Sequence, residues 1–200
     1  MPIRVMSGRF GGRKLASLPG TDTRPSSGRM RLAVQNLLGP GGADGASVLD
    51  LYAGTGASGI EALSCGAVRA LFVERARPAR EVLERNLETL GLGKDEARVF
   101  GSDAISALRS GVALDFEPYD LVFCDPPYEV FRTPLAERTL RDALGSLASR
   151  GGLAPGARVI VEHPEERGFG APPAGLVQID RRRYSAAGVT IYAKAQSPSE

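Results

Sequence analysis

An acid, two prolines and an aromatic residue follow an apolar run near the middle of the chain. Asp125, Pro126, Pro127 and Tyr128 come directly after "YDLVFC", residues 119–124. This pattern predicts a buried strand that stops abruptly with a carboxylate at its carboxyl end. Because proline has a fixed φ and no N–H, the backbone there is stiff, and the Pro126 carbonyl is an acceptor beside the Asp125 carboxylate.

Two adjacent acceptors suit a substrate that carries an exocyclic amine. The amine of a nucleobase is a poor nucleophile because its lone pair is delocalised into the ring. Acceptors that hold both of its N–H groups favour a pyramidal nitrogen and stabilise the positive charge that develops during attack. Tyr128 adds a flat face on which a base can stack. We call the Asp125 carboxylate and the Pro126 carbonyl the amine clamp. Taken alone, the prolines would only end a strand, so the prediction of this clamp depends on a second motif.

That motif is the glycine-rich stretch "DLYAGTGASGIEAL", residues 50–63, in which Gly54, Gly56 and Gly59 have the G-x-G-x-x-G spacing between a predicted strand and a predicted helix. Glycines permit positive φ and let backbone N–H groups approach a ligand at a helix N-terminus. Glu74, 20 residues after Gly54, ends the next predicted strand, where an acid can accept from ribose hydroxyls. On these features alone the loop could hold NAD, FAD or S-adenosylmethionine.

Two further acids favour S-adenosylmethionine over a dinucleotide. Asp50, just before the loop, would face the amino group of a methionine moiety but would oppose a pyrophosphate. Asp103 lies where its carboxylate could accept from the adenine amine. Ligands in doubly wound sheets bind outside the carboxyl ends of the strands, so the glycine loop and Asp125 should share one crevice.

The elements that position these residues alternate regularly from residue 47 onward. The apolar pattern predicts an α/β fold with an open, doubly wound, mostly parallel seven-stranded sheet and an antiparallel last strand. Strands are predicted at 47–52, 70–74, 97–100, 119–124, 157–162, 176–184 and 189–194, and helices at 58–65, at 78–90 and along a stripe from Leu135 to Leu147.

The N-terminal part of the chain differs from this core in charge. Residues 1–31 carry seven basic residues and one acid, a net charge of +6, whereas the whole chain is only +2. A basic arm on a mildly acidic body suggests a polyanionic partner, although a solvated basic tail is the alternative. The glycines in "SGRFGGRK" favour a hairpin. A helix is predicted at residues 28–38, and the stretch "GPGGADGAS" at 39–47 is predicted to be a linker. We therefore predict an arm at 1–45 and one domain at 46–200.

Several classes of protein are disfavoured by composition. No apolar run has the length of a membrane span, and the first residues lack an apolar signal region. The two cysteines, Cys65 and Cys124, match no metal or redox spacing, which indicates reduced thiols in a cytoplasm. We expect a soluble cytoplasmic protein with no metal and no membrane partner.

These motifs, together with "RVMSGRFGGRKL" and "DTRPSSGRMRLAVQNLL" in the arm and "RNLETLGL" and "VIVEH" further on, resemble the bacterial 16S ribosomal RNA guanine-N2 methyltransferases of the class I S-adenosylmethionine-dependent fold. The resemblance implies S-adenosyl-L-methionine as cofactor and 16S ribosomal RNA as partner, within a small subunit or an assembly intermediate. It implies cofactor contacts by Asp50, Tyr52, Ala53, Gly54, Thr55, Gly56, Gly59, Glu74, Asp103 and Ala104, catalysis by Asp125, Pro126, Pro127 and Tyr128, and RNA contacts by Arg4, Arg9, Arg13, Lys14, Arg24, Arg29 and Arg31.

The sequence departs from the family pattern at three positions, and other functions remain open. Gly28 and Leu32 stand where the family typically has acids, and Ser185 follows Tyr184 where it usually has glycine. These departures bear on the target guanine more than on methyl transfer. The alternatives are a DNA adenine-N6 or cytosine-N4 methyltransferase and a non-catalytic RNA-binding or ribosome-assembly factor. A dinucleotide-dependent oxidoreductase would need a hydride-transfer site, for which no candidate residues are found.

Overall fold

A computed structural model of the chain describes residues 3–18, 42–110, 114–184 and 187–195. The helix predicted at 28–38 lies outside these residues, as do three of the predicted RNA-contacting side chains, those of Arg24, Arg29 and Arg31. The departures Gly28, Leu32 and Ser185 fall outside them as well.

The central feature of the described residues is a seven-stranded sheet. Two short strands, β1 (Ile3–Arg4) and β2 (Lys14–Leu15), precede its members, which are β3 (Ser47–Leu51), β4 (Arg69–Val73), β5 (Ala97–Phe100), β6 (Tyr119–Cys124), β7 (Leu153–Pro164), β8 (Leu176–Tyr184) and β9 (Ala187–Lys194). The order in the sheet is β5-β4-β3-β6-β7-β9-β8. Neighbouring strands from β5 to β7 are parallel, and β9 is antiparallel to both β7 and β8. The predicted α/β fold, mostly parallel with an antiparallel last strand, is confirmed.

Helices cover both faces of the sheet. They are α1 (Ala57–Ser64), α2 (Arg77–Thr89), α3 (Ala104–Arg109) and α4 (Pro134–Ser149). Side chains of α1 and α2 pack with Val48 of β3 in one buried cluster, whereas those of α3 and α4 pack with Leu49 and Leu51 in another. Because successive residues of a strand point to opposite faces, a strand buried on both sides is apolar at nearly every position. This explains the continuous apolar runs in the sequence.

The two longer helices begin and end at residues with local reasons to be there. In α4 the Thr133 hydroxyl caps the N-terminus by accepting from the Ala136 N–H at 3.2 Å, and Pro134 occupies the first turn. In α2 Pro78 lies in the first turn, and Gly91, at φ +71°, lies just past the end. The apolar stripe predicted for α2 is buried.

The N-terminal residues form the hairpin that the glycines predicted. In it β1 pairs antiparallel with β2, with Ile3 opposite Leu15, and a 3₁₀ turn at Gly8–Phe10 lies between them. Ile3, Val5 and Leu15 are buried in the same cluster as α1 and α2. The hairpin therefore packs against the core.

The largest differences from the sequence prediction are in α3 and β7. The short helix α3 was not predicted, because its six residues give too few turns for a clear periodicity. Strand β7 begins four residues before the predicted 157–162 and ends two residues after it. Its early part, "LAPG", contains a proline and a glycine, and the ladder with β6 is irregular between Tyr119 and Leu121.

Among the described residues, no helix has both the length and the apolar character that a membrane crossing requires.

Candidate active site

The glycine loop connects β3 to α1 at the carboxyl edge of the sheet. Gly56 precedes α1 at φ +86°, and a Cβ there would come within 2.2 Å of Leu83 Cδ1 on α2. A Cβ on Gly59 would lie 2.4 Å from the Phe72 ring. Both positions therefore need glycine for the backbone conformation or for packing, whatever the loop binds.

Gly54 differs from the other two glycines of the motif. It has φ +56°, and a Cβ there would meet no described atom within 4 Å. Its N–H donates to Glu74 Oε2 at 2.9 Å, while Glu74 Oε1 accepts from the Ala76 N–H at 2.7 Å. Glu74, which is predicted to accept from ribose hydroxyls, thus holds the turn of the loop in place.

Asp50 is a buried carboxyl beneath the loop. Its Oδ2 accepts from the Gly59 N–H at 2.8 Å, near the N-terminus of α1. Burial raises the pKa of Asp50 to about 7, the Gly59 N–H opposes the rise, and the carboxylates of Asp125 and Glu74 add to it. The carboxylates of Asp125 and Glu74 therefore lie close enough to disfavour ionisation of Asp50.

Asp125 follows β6, as predicted, and shares a cavity with the glycine loop. The cavity has a volume of about 450 Å³. Its lining includes the predicted residues Asp50, Tyr52, Ala53, Gly54, Thr55, Glu74, Ala104, Asp125 and Pro127. Strands β3 and β6 are adjacent and parallel, with Leu51 opposite Cys124, so the residues that follow each strand meet at one edge.

The remaining predicted site residues do not line the cavity. Gly56 and Gly59 support the loop, as described above. Asp103 caps α3, where its Oδ1 accepts from the Ser106 N–H at 3.0 Å, and its Oδ2 lies 4.0 Å from the Arg75 guanidinium. Pro126 is buried, whereas the Tyr128 side chain is exposed at the start of a 3₁₀ turn. A role for Asp103 with adenine stays a prediction.

Two other polar groups at this edge are neutral. The buried Tyr52 hydroxyl has no hydrogen-bond partner among the described residues, and burial raises the pKa of this phenol above its usual range. Burial also raises the pKa of the Cys124 thiol, and the neighbouring Asp125 and Asp50 carboxylates raise it further. Because the thiolate is the nucleophilic form of cysteine, Cys124 is unsuited to covalent catalysis.

His163 is the single histidine of the chain, and its contacts are structural. It is buried near the end of β7, with Nε2 2.8 Å from Thr190 Oγ1 and Nδ1 3.0 Å from the Pro164 carbonyl oxygen. Burial lowers its pKa. Within the described ranges, no cluster of three or more histidine, cysteine or acidic side chains could hold a metal ion.

Sequence reasoning missed the contribution of the hairpin to the cavity. Ile3, Ser17 and Leu18 line it, next to loop residues. The hairpin end is held there by Asn86 of α2, whose side chain bonds both to Ala16 and to the Thr55 carbonyl. One signal in the sequence was available, since Asn86 is a polar residue on the otherwise apolar stripe of α2.

The exposed basic residues of the hairpin lie on described parts of the chain. Arg4, Arg9, Arg13 and Lys14 are all exposed. The Arg9 guanidinium pairs with Glu96 at 2.6 Å and lies 4.6 Å from the centre of the Phe10 ring. Arg4 donates to the Gly12 carbonyl at 2.9 Å. Among the described residues, the side chains of Arg13 and Lys14 make no such contact with a neighbouring side chain or carbonyl, which makes them the better-placed candidates for phosphate.

Comparison with known proteins agrees with this fold. A family described as conserved hypothetical protein 95 matches residues 3–193. The ribosomal RNA small subunit methyltransferase D of Escherichia coli is 39% identical over 86% of this chain and 80% of its own length. The solved structure of the Escherichia coli protein yhhF is 34% identical, covers 97% of this chain and 98% of that one, and superposes with a TM-score of 0.80.

A more distant structure shares the fold. A Thermus thermophilus 16S rRNA N2-guanine methyltransferase, solved with AdoMet and guanosine, is 22% identical, with a TM-score of 0.68, and this chain spans 50% of it. The family match covers nearly the whole chain and confirms the resemblance seen in the sequence. The protein belongs to the conserved hypothetical protein 95 family, together with the ribosomal RNA small subunit methyltransferase D of Escherichia coli.

Proposed function

We propose that this protein transfers a methyl group from S-adenosylmethionine to the exocyclic N2 amine of a guanine in 16S ribosomal RNA of the small subunit. The observation that carries this proposal is that Gly54 of the glycine loop and Asp125 of the amine clamp line the same cavity. A donor held by the loop and an amine held by the clamp would then lie next to each other, and such positioning supplies much of the rate of a transfer reaction.

The residues of the cavity fit this cofactor. Its volume of about 450 Å³ is in the range of small-molecule sites. Asp50, Glu74 and Asp125 contribute three carboxyl groups and Arg75 one cation, a balance that favours a cationic ligand over a pyrophosphate. Asp50 would hold the methionine end, Glu74 the ribose and the Ala104 region the adenine. When bound, S-adenosylmethionine supplies an electrophilic methyl group on a positively charged sulfur.

Asp125 and the prolines would act on the acceptor amine. The Asp125 carboxylate and the Pro126 carbonyl would accept from the two N–H groups of guanine N2, which favours a pyramidal nitrogen with its lone pair free to attack. The carboxylate also stabilises the positive charge that develops on the nitrogen. Because Tyr128 is exposed at the start of the next turn, it is available to stack on a base that has been turned out of its helix.

The hairpin would supply RNA affinity through its basic side chains. Phosphate contacts provide most of the sequence-independent affinity for nucleic acid, and they weaken as salt increases. Arg13 and Lys14 are the described candidates, and Arg24, Arg29 and Arg31 are candidates from the sequence. The Escherichia coli relative is named for the small ribosomal subunit, which supports ribosomal RNA as the substrate class. We place the reaction in the cytoplasm, on a small subunit or an assembly intermediate.

The test is transfer of labelled methyl groups from S-adenosylmethionine to deproteinised 16S ribosomal RNA, to small subunits that lack the modification, and to DNA. We expect label in RNA or subunits, at N2 of guanine. Asp125→Ala should lower the transfer rate by about 100-fold or more, since it removes an acceptor from the transition state. Asp142→Ala, an exposed acid on α4, is the matched control and should retain the wild-type rate.

Each alternative function has its own outcome in this experiment. Label in DNA alone would identify a DNA amine methyltransferase. Binding of RNA without transfer to any acceptor would identify an assembly factor. Equal rates for wild type and Asp125→Ala would exclude the amine clamp.

A further inference from the structure

Asn86 is a buried amide in the middle of α2, and its contacts leave 3% of the residue exposed. The Ala16 N–H donates to Asn86 Oδ1 at 2.8 Å, and Asn86 Nδ2 donates to the Ala16 carbonyl at 3.2 Å. Nδ2 also donates to the Thr55 carbonyl at 3.0 Å. One amide thus uses its acceptor and both donors to join two backbone segments to a helix.

The two segments belong to different parts of the molecule. Thr55 lies between Gly54 and Gly56 in the glycine loop, at the cavity. Ala16 comes directly after the second strand of the hairpin, two residues beyond Lys14. Asn86 is therefore a shared attachment of the two segments.

The position of Ala16 also sets a wall of the cavity. Ser17 and Leu18, the next two residues, line the cavity beside Thr55 and Ala79, and Ile3 from the first strand of the hairpin joins them. If the end of the hairpin moved away from Asn86, the cavity would lose part of this wall, and the Asn86 amide would lose both of its hydrogen bonds to Ala16 and keep only the one to the Thr55 carbonyl. The docked hairpin is therefore the state in which the cofactor site is complete.

We propose that Asn86 is a positioning residue that couples RNA contact by the hairpin to cofactor binding in the cavity. This inference rests on the proposed function. RNA held by Arg13 and Lys14 would favour the docked hairpin, because these residues lie two or three positions before Ala16. The docked hairpin would in turn complete the cofactor site, so each ligand should increase the affinity for the other by the same factor.

The experiment measures the dissociation constant of S-adenosylhomocysteine by calorimetry, with and without saturating deproteinised 16S ribosomal RNA, and the affinity for that RNA with and without S-adenosylhomocysteine. For the wild type we expect each ligand to increase the affinity of the protein for the other by about fivefold or more. Asn86→Ala should reduce this factor to below about twofold and weaken binding of S-adenosylhomocysteine alone by about threefold or more.

Two further variants separate this role from a loss of folding. Ala16→Pro removes the Ala16 N–H and leaves α2 intact, since proline is compatible with the extended residue before it. It should also lower the coupling factor. Thr89→Ala on the same helix removes an exposed hydroxyl that bonds only within α2, to the Arg85 carbonyl, and should behave as the wild type. Circular dichroism and thermal melting confirm that each variant is folded.

The outcomes distinguish this inference from the proposed function. Wild-type protein that methylates ribosomal RNA but shows no coupling would overturn the role of Asn86 alone. Wild-type coupling that persists unchanged in both Asn86→Ala and Ala16→Pro would also overturn it. Wild-type protein that neither binds nor methylates ribosomal RNA would overturn the proposed function, and the coupling inference with it.

Discussion

The face on which the hairpin docks and the cavity at the glycine loop lie side by side, but their buried polar groups differ in whether they have hydrogen-bond partners. The hairpin docking face consists of Glu61, Ser64 and Asn86. The Glu61 carboxylate, fully buried, accepts from the Met6 and Ser7 N–H groups at 2.9 Å each. The Ser64 hydroxyl accepts from the Phe10 N–H at 2.9 Å and donates to the Ser7 carbonyl. Each of these side chains satisfies a backbone group of the hairpin.

The cavity at the glycine loop contains buried polar groups in a less favourable state. The Asp125 carboxylate adds to the raised pKa of the buried Asp50 carboxyl, and the Tyr52 hydroxyl is buried without a partner among the described residues. A buried polar group with no partner costs roughly 1–3 kcal/mol. Paired buried groups such as those of Glu61 and Ser64 stabilise the docked turn of the hairpin, whereas unpaired or neutralised groups around a cavity indicate a ligand that completes them. The comparison predicts opposite signs for mutations in the two regions.

The largest effect is expected on the hairpin docking face. Glu61→Ala removes the acceptor of the Met6 and Ser7 N–H groups and should lower the free energy of unfolding by about 3 kcal/mol. Chemical denaturation measures this loss, and hydrogen exchange should show that the Met6 and Ser7 amides lose protection first. Glu88→Ala, an exposed acid on α2, is the control. A destabilisation no larger than that of the control would mean that the hairpin docks by its apolar side chains alone.

A smaller effect is expected from the protonation of Asp50. With a pKa of about 7, this carboxyl is mostly protonated at pH 6 and mostly ionised at pH 8. A cation bound beside it favours the ionised form, so binding at low pH must release a proton. The dissociation constant of S-adenosylhomocysteine should therefore increase by about tenfold from pH 8 to pH 6.

Calorimetry in buffers of different ionisation enthalpy counts the released protons. Asp50→Asn should abolish the pH dependence of the dissociation constant. The folding stability of the protein without ligand depends on pH in the opposite direction, with lower stability at higher pH. The folded-state pKa lies above the unfolded value of 3.8, so the stability contributed by the protonated carboxyl is lost as pH rises from about 4 to 7. Tighter binding at pH 6 than at pH 8 would contradict a cation beside Asp50.

Much of the candidate site at the carboxyl edge of the sheet could be predicted from the sequence because its signals are local. Apolar runs located the strands, and glycine spacing located the loop. Parallel strands then required Gly54 and Asp125 to meet at one edge. Glycine spacing also located Gly56 and Gly59, whose contact with the cofactor stays a prediction. Glycine is needed at both positions because a Cβ would collide with Leu83 or Phe72, whether or not a ligand binds.

The contribution of the hairpin could not be predicted in this way. Its strands have two residues each, too few for a periodic pattern, and Ala16 meets Asn86 across 70 positions of sequence. Contacts at such separation depend on how the whole chain packs. The polar Asn86 on an apolar stripe did signal a specific partner, but the partner itself could be identified only from the structure.

The smallest effect, and the sharpest test of the comparison, is expected at Tyr52. Tyr52→Phe removes only the hydroxyl, so it should increase the free energy of unfolding of the ligand-free protein by up to about 1 kcal/mol, because a buried group without a partner is lost. The same change should weaken binding of S-adenosylhomocysteine by about threefold if a bound ligand completes that hydroxyl. Denaturation and calorimetry on one preparation measure both quantities. Tyr192→Phe, a buried tyrosine away from the cavity, is the control for binding. A Tyr52→Phe protein that is destabilised would show that the hydroxyl already has a partner, and the contrast between the two regions would then be lost.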